Sequence, residues 1–276
     1  MQIGESSRKG QPKRLVKMKS NQKLISFDLK AEMGFFKKPD INDGIYLTYN
    51  MLHKPALLGI LGAIVGLQGY QNNGVFPEYY QKLKHLEIGV APLESDNGNF
   101  TKDIVAYNNG TGFASSEAGG NLIVREQIII KPSYRCYLLL NIDNETEKAL
   151  YERIIKYEAE FLPYMGKNDF SAWWENVQDY DFVKFSANGS YKVASVFAKT
   201  EAVSNHIVRS LSMFSKEAMV PVFVYFERLP IGFDEQLMQY NYAEFVYSNA
   251  TFSKEMDMSA GGEFYTLNNS EVIQLF

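Results

Sequence analysis

From Lys23 onward the chain alternates apolar and polar positions. LISFDLKAEMGFF combines β-favouring residues with a period near two, which predicts a strand over 23–30. The segment KKPDINDG (37–44) reads as a loop. From Tyr46 to Tyr70, YLTYNMLHKPALLGILGAIVGLQGY, the alternation stops: leucine, isoleucine and valine surround three glycines and no polar face remains. Pro55 suits the first turn of a helix, where its missing N–H would be unpaired anyway, so a helix is predicted from there to about Leu67. The uninterrupted apolar run, 56–67, falls short of the roughly 20 residues that a membrane span requires.

Gly59, Gly62 and Gly66 stand at i, i+3 and i+7 of this helix, so they share one face and form a smooth groove. Leu57, Ile60, Leu61 and Ile64 face elsewhere. Each glycine costs about 1 kcal/mol of helix propensity relative to alanine. The groove therefore requires a close neighbour: a sheet, a second helix or a ligand backbone, with packing on a sheet the expectation.

Further along, LEIGVAPL (86–93) is predicted as a strand and 102–130 as a long hairpin. Its tip, YNNGTGFASSEAGGN, is far longer than the about 2–5 residues of ordinary hairpin loops, and its return arm LIVREQIII is strand-forming throughout. A tip of that length predicts a binding element. The turn KPS, a strand over 134–140 and a helix in DNETEKALYERIIKYEAEF follow, with Leu150, Ile154, Tyr157 and Phe161 on one stripe and Asn144 and Glu147 in a capping-box spacing. PYMGKNDF and an aromatic stretch containing Trp173 and Trp174 lead to predicted strands at 191–198 and 220–227. The order strand, helix, strand, hairpin, strand, helix, strand predicts an α+β fold. The expectation is a ferredoxin-like domain over 23–200 with a long β-hairpin inserted at 102–130, followed at 201–276 by a β-rich C-terminal part packed on the same domain.

Composition changes this picture little: 46% hydrophobic and 22% charged residues are those of a globular protein. One cysteine, Cys136, excludes an internal disulfide and a thiolate metal cluster. His53, His85 and His206 lack ligand spacing, so neither metal nor cofactor is expected. Charge is more informative. The net is −4, yet residues 1–17 carry Arg8, Lys9, Lys13, Arg14 and Lys17 against Glu5 alone. Residues 1–22 read as a basic, disordered extension suited to a polyanion, or, if Met18 is the start, as an upstream addition. Without a secretory signal or a membrane span, the expected location is cytoplasmic.

Several segments together resemble one family. FDLKAEMGFFKKP followed by YLTY, HKPALLGILGAIVGL, VREQIIIKPSYR, LPYMGKND and LPIGFDEQLMQYNYAEFVY, in this order over about residues 23–250, resemble the Cas-five family of CRISPR-associated proteins (RAMP superfamily) in its type I-B form. The resemblance implies an RRM-like form of the ferredoxin-like fold, with the inserted β-hairpin as a thumb, in a non-catalytic subunit of a guide-RNA effector complex, Cascade. It would cap the 5′ handle of the CRISPR RNA, touch the backbone and large subunits, and meet target DNA through the assembly. RNA would then face the start of the glycine-rich helix, with a phosphate near Pro55 and Ala56 beside His53 and Lys54. Tyr46, Thr48 and Tyr49 are of the types that hold splayed bases. Arg125, Gln127, Lys131, Tyr134 and Arg135 form a second group, Lys37 and Lys38 a third, and Lys167 with Asn168 a fourth. The rival expectation is a metal-independent endoribonuclease that processes the guide precursor, as in the type I-C branch, using Tyr46, Lys84 and His85.

Overall fold

A computed structural model of the chain describes residues 21–40, 44–109, 122–187, 189–201, 203–206, 221–252 and 262–276. The basic extension expected at 1–22 lies outside these residues except for Asn21 and Gln22, and so does the hairpin tip from 110 to 121. Strand β1 (Gln22–Ala31) is the centre of a four-stranded antiparallel sheet. The sheet is completed by β3 (Glu87–Pro92), β6 (Ser133–Asn141) and β7 (Ala172–Tyr180) in the order β3-β6-β1-β7. Helix α1 (Lys54–Val65) joins β1 to β3 in sequence, and α3 (Glu145–Lys156) joins β6 to β7; the short α2 (Glu78–Leu83) follows α1. The fold is α+β and rich in antiparallel strands.

Alternation along the strands gives the sheet two apolar faces. On one, Ile25, Phe27, Leu29, Cys136 and Leu138 pack with Leu57, Leu61 and Ile64 of α1 and with Leu150 and Ile154 of α3. On the other, Leu24, Ala91, Tyr137, Leu139 and Tyr180 pack under Tyr265, Leu267, Ile273 and Leu275. These last residues belong to β12 (Glu263–Leu267) and β13 (Val272–Leu275), which pair with each other, β12 pairing also with β8 (Phe182–Lys184). A third sheet joins β10 (Val224–Asp234), β11 (Gln239–Ser248) and the short β9 (Phe197–Ala198). Among the described residues no helix is long and apolar enough to cross a membrane.

The inserted hairpin is β4 (Lys102–Asn109) against β5 (Leu122–Ile130), in register from Lys102↔Ile129 to Asn109↔Leu122. Its root is held along the edge of β5 that faces away from β4. The two-residue β2 (Met33–Gly34) pairs with Ile129 and Ile130, while the Tyr46 N–H donates to the Arg125 carbonyl at 2.9 Å and the Gln127 N–H to the Tyr46 carbonyl at 2.9 Å.

Three expectations are corrected. The fourth strand of the main sheet is the aromatic stretch 172–180, not 191–198. Strand β7 lies at the sheet edge, so Glu175, Asn176, Gln178 and Asp179 reach solvent and break the apolar period, and its pairing with β1 carries an irregularity between Ser26 and Asp28. The 191–198 stretch is apolar because it is buried in another cluster; it contributes only isolated bridges and β9.

The second correction concerns α3, which ends at Lys156 with Tyr157 in the left-handed region (φ 58°) as C-cap. Tyr157 and Phe161 are consequently exposed, and only Leu150 and Ile154 of the expected stripe are core. Asn144 caps the helix through the Thr146 and Glu147 N–H groups. The Glu147 carboxylate does not close the box: it accepts from the Asn141 N–H at 2.7 Å and meets His85 Nε2 at 2.9 Å.

The third correction concerns the glycine groove. Gly66 is the left-handed C-cap of α1 (φ 83°), where glycine adopts the conformation at little cost. Gly59 and Gly62 share one neighbour, and it comes from a second helix: Tyr79 of α2 lies across them, whereas Gly66 faces Glu160. A side chain at Gly62 would collide with Tyr79 Cβ, whereas at Gly59 it would meet the Tyr79 ring at 3.8 Å, an ordinary contact.

The two positions should therefore respond oppositely to the same change. Gly59→Ala should gain up to about 1 kcal/mol from helix propensity. Gly62→Ala should lose stability despite the same gain, and Gly62→Leu should lose about 1–3 kcal/mol by overpacking. Urea denaturation of the three variants measures this; equal effects at both glycines would show that α2 does not press on α1.

Candidate nucleic-acid interface

Between β2 and α1 the chain folds back on itself as a ridge. Lys37 bridges Thr48 in antiparallel fashion, the Lys38 N–H donates to the Leu47 carbonyl at 2.8 Å, and the Tyr49 N–H donates to the Phe36 carbonyl at 2.8 Å. Successive side chains of such a segment point to opposite sides. Lys37 accordingly places its ammonium 3.7 Å from the centre of the Tyr46 ring, whereas Lys38 turns toward Tyr49 and Glu227.

On the Lys38 side the ridge, the hairpin root and β10–β11 enclose a polar cleft of about 510 Å³. Its walls include Lys38, Asp40, Asn50, Lys102, Gln127, Arg228 and the rings of Tyr225 and Tyr242. Two groups organise it. The Glu227 carboxylate accepts from the Asn50 N–H (3.0 Å), the Met51 N–H (2.9 Å) and the Tyr225 hydroxyl (2.8 Å). The Asn50 amide oxygen accepts from the Phe100 N–H (3.0 Å) and Lys102 Nζ (2.7 Å), and its nitrogen donates to the Gly98 carbonyl (2.7 Å). Glu227 is thus satisfied from within the fold.

The cations are not. Lys102 is held by a neutral amide, and burial lowers its pKa. Arg228 lies 4.3 Å from the centre of the Tyr242 ring, opposite Glu244 across the β10–β11 ladder; the Glu244 carboxyl pKa is lowered by the Lys199 hydrogen bond and further by the Arg228 charge, without a close ion pair to Arg228. Lys38 is 3.6 Å from Glu227, at the long end of an ion pair. Burial and the hydrogen bond with Tyr242 push the Tyr49 hydroxyl up, so it stays protonated. Loosely paired positive charge, rings and amides around one cavity suit a phosphodiester with an attached base.

The structure brings Lys38, Thr48, Tyr49 and Gln127 to this cleft. Arg125, Lys131 and Asn168 are exposed nearby in sequence or on the outer face of β5. Lys37, His53 and Lys167 line a second, mainly apolar groove of about 730 Å³ along α1, and the half-buried Tyr46 contacts Lys37 there. Several expected contacts are occupied internally. Thr48 is buried, its Oγ1 accepting from the Phe36 N–H and donating to the Tyr49 carbonyl. Tyr49 is 3% exposed, which leaves no ring face for a base to stack on. Tyr134 is a core residue whose hydroxyl donates to the Asn50 carbonyl. Arg135 forms a forked pair with Asp28 at 2.8 and 3.1 Å, which raises its pKa. Lys167 Nζ donates to Glu126 at 2.7 Å and to the Tyr107 hydroxyl at 2.8 Å.

The start of α1 does not present the anion site expected of it. His53 is its N-cap, with Nδ1 accepting from the Ala56 N–H at 3.3 Å, and the His53 carbonyl accepts from the Leu57 N–H. The imidazole is buried among the rings of Phe36, Tyr49 and Tyr240, and burial lowers its pKa to about 3. Lys54 Nζ donates to the Phe276 carbonyl at 3.1 Å, and burial lowers its pKa as well. Nor do the three residues of the ribonuclease expectation share a neighbourhood in any contact the structure makes: Lys84 pairs with Glu235, His85 with Glu147, and Tyr46 with Lys37.

No family model matches the chain, and no curated protein does. Solved structures do. Its structural neighbours are CRISPR-associated proteins. A chain of a CRISPR RNA-guided surveillance complex aligns with 81% of this chain and 89% of its own at 11% identity and a TM-score of 0.42. A CRISPR protein from Archaeoglobus fulgidus aligns with 92% of this chain and 98% of its own at 11% identity and a TM-score of 0.46. A chain of a Type III-B Cmr-beta complex bound to cognate target RNA aligns with 84% and 86% at 12% identity and 0.41. Likeness at this distance assigns neither a residue's role nor an activity.

Sequence reading missed Asn50, Lys102, Tyr225, Arg228 and Tyr242. The nearest signal is the 220–227 strand, whose expected end falls one residue before Arg228; the structure starts β10 at Val224 and carries it to Asp234.

His53 yields a pH prediction. Its pKa falls from the ordinary 6.5 to about 3 in the fold, so its contribution is complete above about pH 6.5 and is lost as pH falls toward 3. The loss is at most about 1.4 kcal/mol per pH unit. His53→Asn keeps a capping acceptor and removes the titration. It should be less stable than wild type at pH 7.5, yet lose less stability between pH 6.5 and 4. Denaturant midpoints across that range test this, and parallel curves would refute it.

Proposed function

We propose that the chain is a non-catalytic RNA-binding subunit of a type I-B CRISPR effector complex, holding the 5′ handle of the CRISPR RNA and contacting the backbone and large subunits. The observation that carries this reading is the cleft at the hairpin root, where Lys38, Lys102 and Arg228 converge with the rings of Tyr225 and Tyr242. Two further features support it. The ordered segments over about 23–250 resemble the Cas-five family, and the sequence order of sheet strands and helices with the arrangement β3-β6-β1-β7 is compatible with an interleaved ferredoxin-like unit. The protruding β4–β5 arm supplies the element that a capping subunit would lay along RNA, with Arg125 exposed on it. A non-catalytic role is favoured by the pairing of Lys84 and His85 with Glu235 and Glu147.

Purification with the natural partner subunits should yield a bound short RNA with a common 5′ end and no metal-independent cutting of repeat RNA. Lys38→Ala and Arg228→Ala should each weaken handle binding, and each should reduce the slope of log affinity against log salt by about 0.7 for every phosphate that the variant no longer neutralises. Lys54→Ala should leave affinity and slope unchanged and lower the melting temperature, because its partner is the Phe276 carbonyl. An assembly free of RNA, or unaltered slopes for both cleft variants, would reject the reading.

A further inference from the structure

The groove along α1 contains a hydrogen-bond donor that the fold leaves unused. Ala56, Gly59 and Ala63 of α1 lie along it, and Tyr70, Phe161, Leu162 and Tyr164 stand around it with 42–68% of their surface exposed. A contiguous set of exposed apolar side chains marks an interaction surface. His53 lines the same groove and is only 4% exposed. Its Nδ1 accepts from the Ala56 N–H and burial keeps the ring neutral, so the ring proton sits on Nε2. That N–H meets no acceptor among the described residues, and Nε2 is not walled in by them either. Since Phe36, Tyr49 and Tyr240 pack edge-on around the ring, the groove is where an acceptor from outside can reach it. Charge points the same way. Lys167 and Glu126 pair with each other, which leaves the exposed Lys37 of the groove without a carboxylate partner among the described residues.

We propose that the groove receives an extended segment of a partner polypeptide, with apolar side chains over α1, a backbone carbonyl on the His53 Nε2–H and a carboxylate beside Lys37. The inference rests on the reading of the chain as a subunit of an assembly, and adds the place and chemistry of one protein contact. Nucleic acid fits poorly here, because it would set one phosphate per nucleotide against an apolar lining with a single spare cation. An α-helix spends its interior carbonyls on itself, whereas an extended chain keeps them free for His53. The small side chains of Ala56 and Ala63 let such a backbone come close, and the spare ammonium of Lys37 selects against a basic segment.

The test uses the full chain purified with its natural partner subunits. Cys136 is the chain's one cysteine and is buried, so Ala63→Cys supplies a single accessible thiol on the groove. Its alkylation by a maleimide should be at least about tenfold slower in the assembly than in the isolated chain, since reaction follows the fraction of time the groove stands open. A benzophenone maleimide on that thiol should cross-link to polypeptide. Lys37→Glu sets like charges together, and His53→Asn keeps the cap but stops short of the Nε2 position. Each, added to Ala63→Cys, should speed alkylation in the assembly by about threefold or more, with melting temperatures checking that the variants fold. Equal rates in the assembly and the isolated chain, cross-linking to RNA, or protection unchanged in both variants overturns the proposal. An unprotected thiol in an assembly that carries RNA rejects the groove and leaves the RNA-binding reading standing, whereas a chain that retains neither partner nor RNA rejects both.

Discussion

A sheet with two apolar faces has to be covered twice, and most of this architecture follows from that requirement. The residues of β1 alternate between Leu24, which faces β12–β13, and Ile25, Phe27 and Leu29, which face α1 and α3. Burying such strands on both sides is what makes them nearly continuous in hydrophobicity. It also closes the surface on which an RNA-recognition sheet would normally stack bases. What polar character remains on that face is neutralised in place, by Arg135 with Asp28 and by Lys30 with Glu94 and Glu175. The proposed interface is accordingly displaced to the hairpin root, where three separate segments meet.

Those segments are joined there by charge that is fully satisfied. Glu227, from β10, gathers two backbone N–H groups of the ridge, and Asn50 of the ridge gathers the approach to β4 through Gly98, Phe100 and Lys102. A buried carboxylate is tolerable only with its acceptor capacity filled. Because backbone N–H groups and a tyrosine take most of that capacity, Lys38 meets Glu227 only at 3.6 Å and Lys102 is held by the Asn50 amide.

Where structure is set locally, the sequence was legible. β1, β3, β6, α1 and the β4–β5 hairpin lie within a residue or two of their expected bounds, since Pro55, Asn144 and the apolar periods act over a few positions. The exceptions are instructive. β7 was overlooked because an edge strand shows solvent on one side, and 191–198 was overread because packing, not ladder pairing, accounts for its hydrophobicity. At the site, Lys54, Tyr134, Arg135 and Lys167 look like free polar groups in sequence. Their partners, Phe276, Asn50, Asp28 and Glu126, are far away along the chain. Arg228 and Tyr242 face the cleft only because a C-terminal hairpin docks against a ridge far earlier in the chain, as the contact between Glu227 and Asn50 records with a separation of 177.

The adjacent Lys37 and Lys38 have identical chemistry but opposite surroundings, one over Tyr46 beside an apolar groove and the other in a polar cleft. Parity along the ridge, fixed by the Lys37 to Thr48 bridge, is what distinguishes them. The ridge is therefore sensitive to a change in its number of residues. Among descendants of this sequence, single insertions near Lys37 should be rare, since each would exchange the two faces.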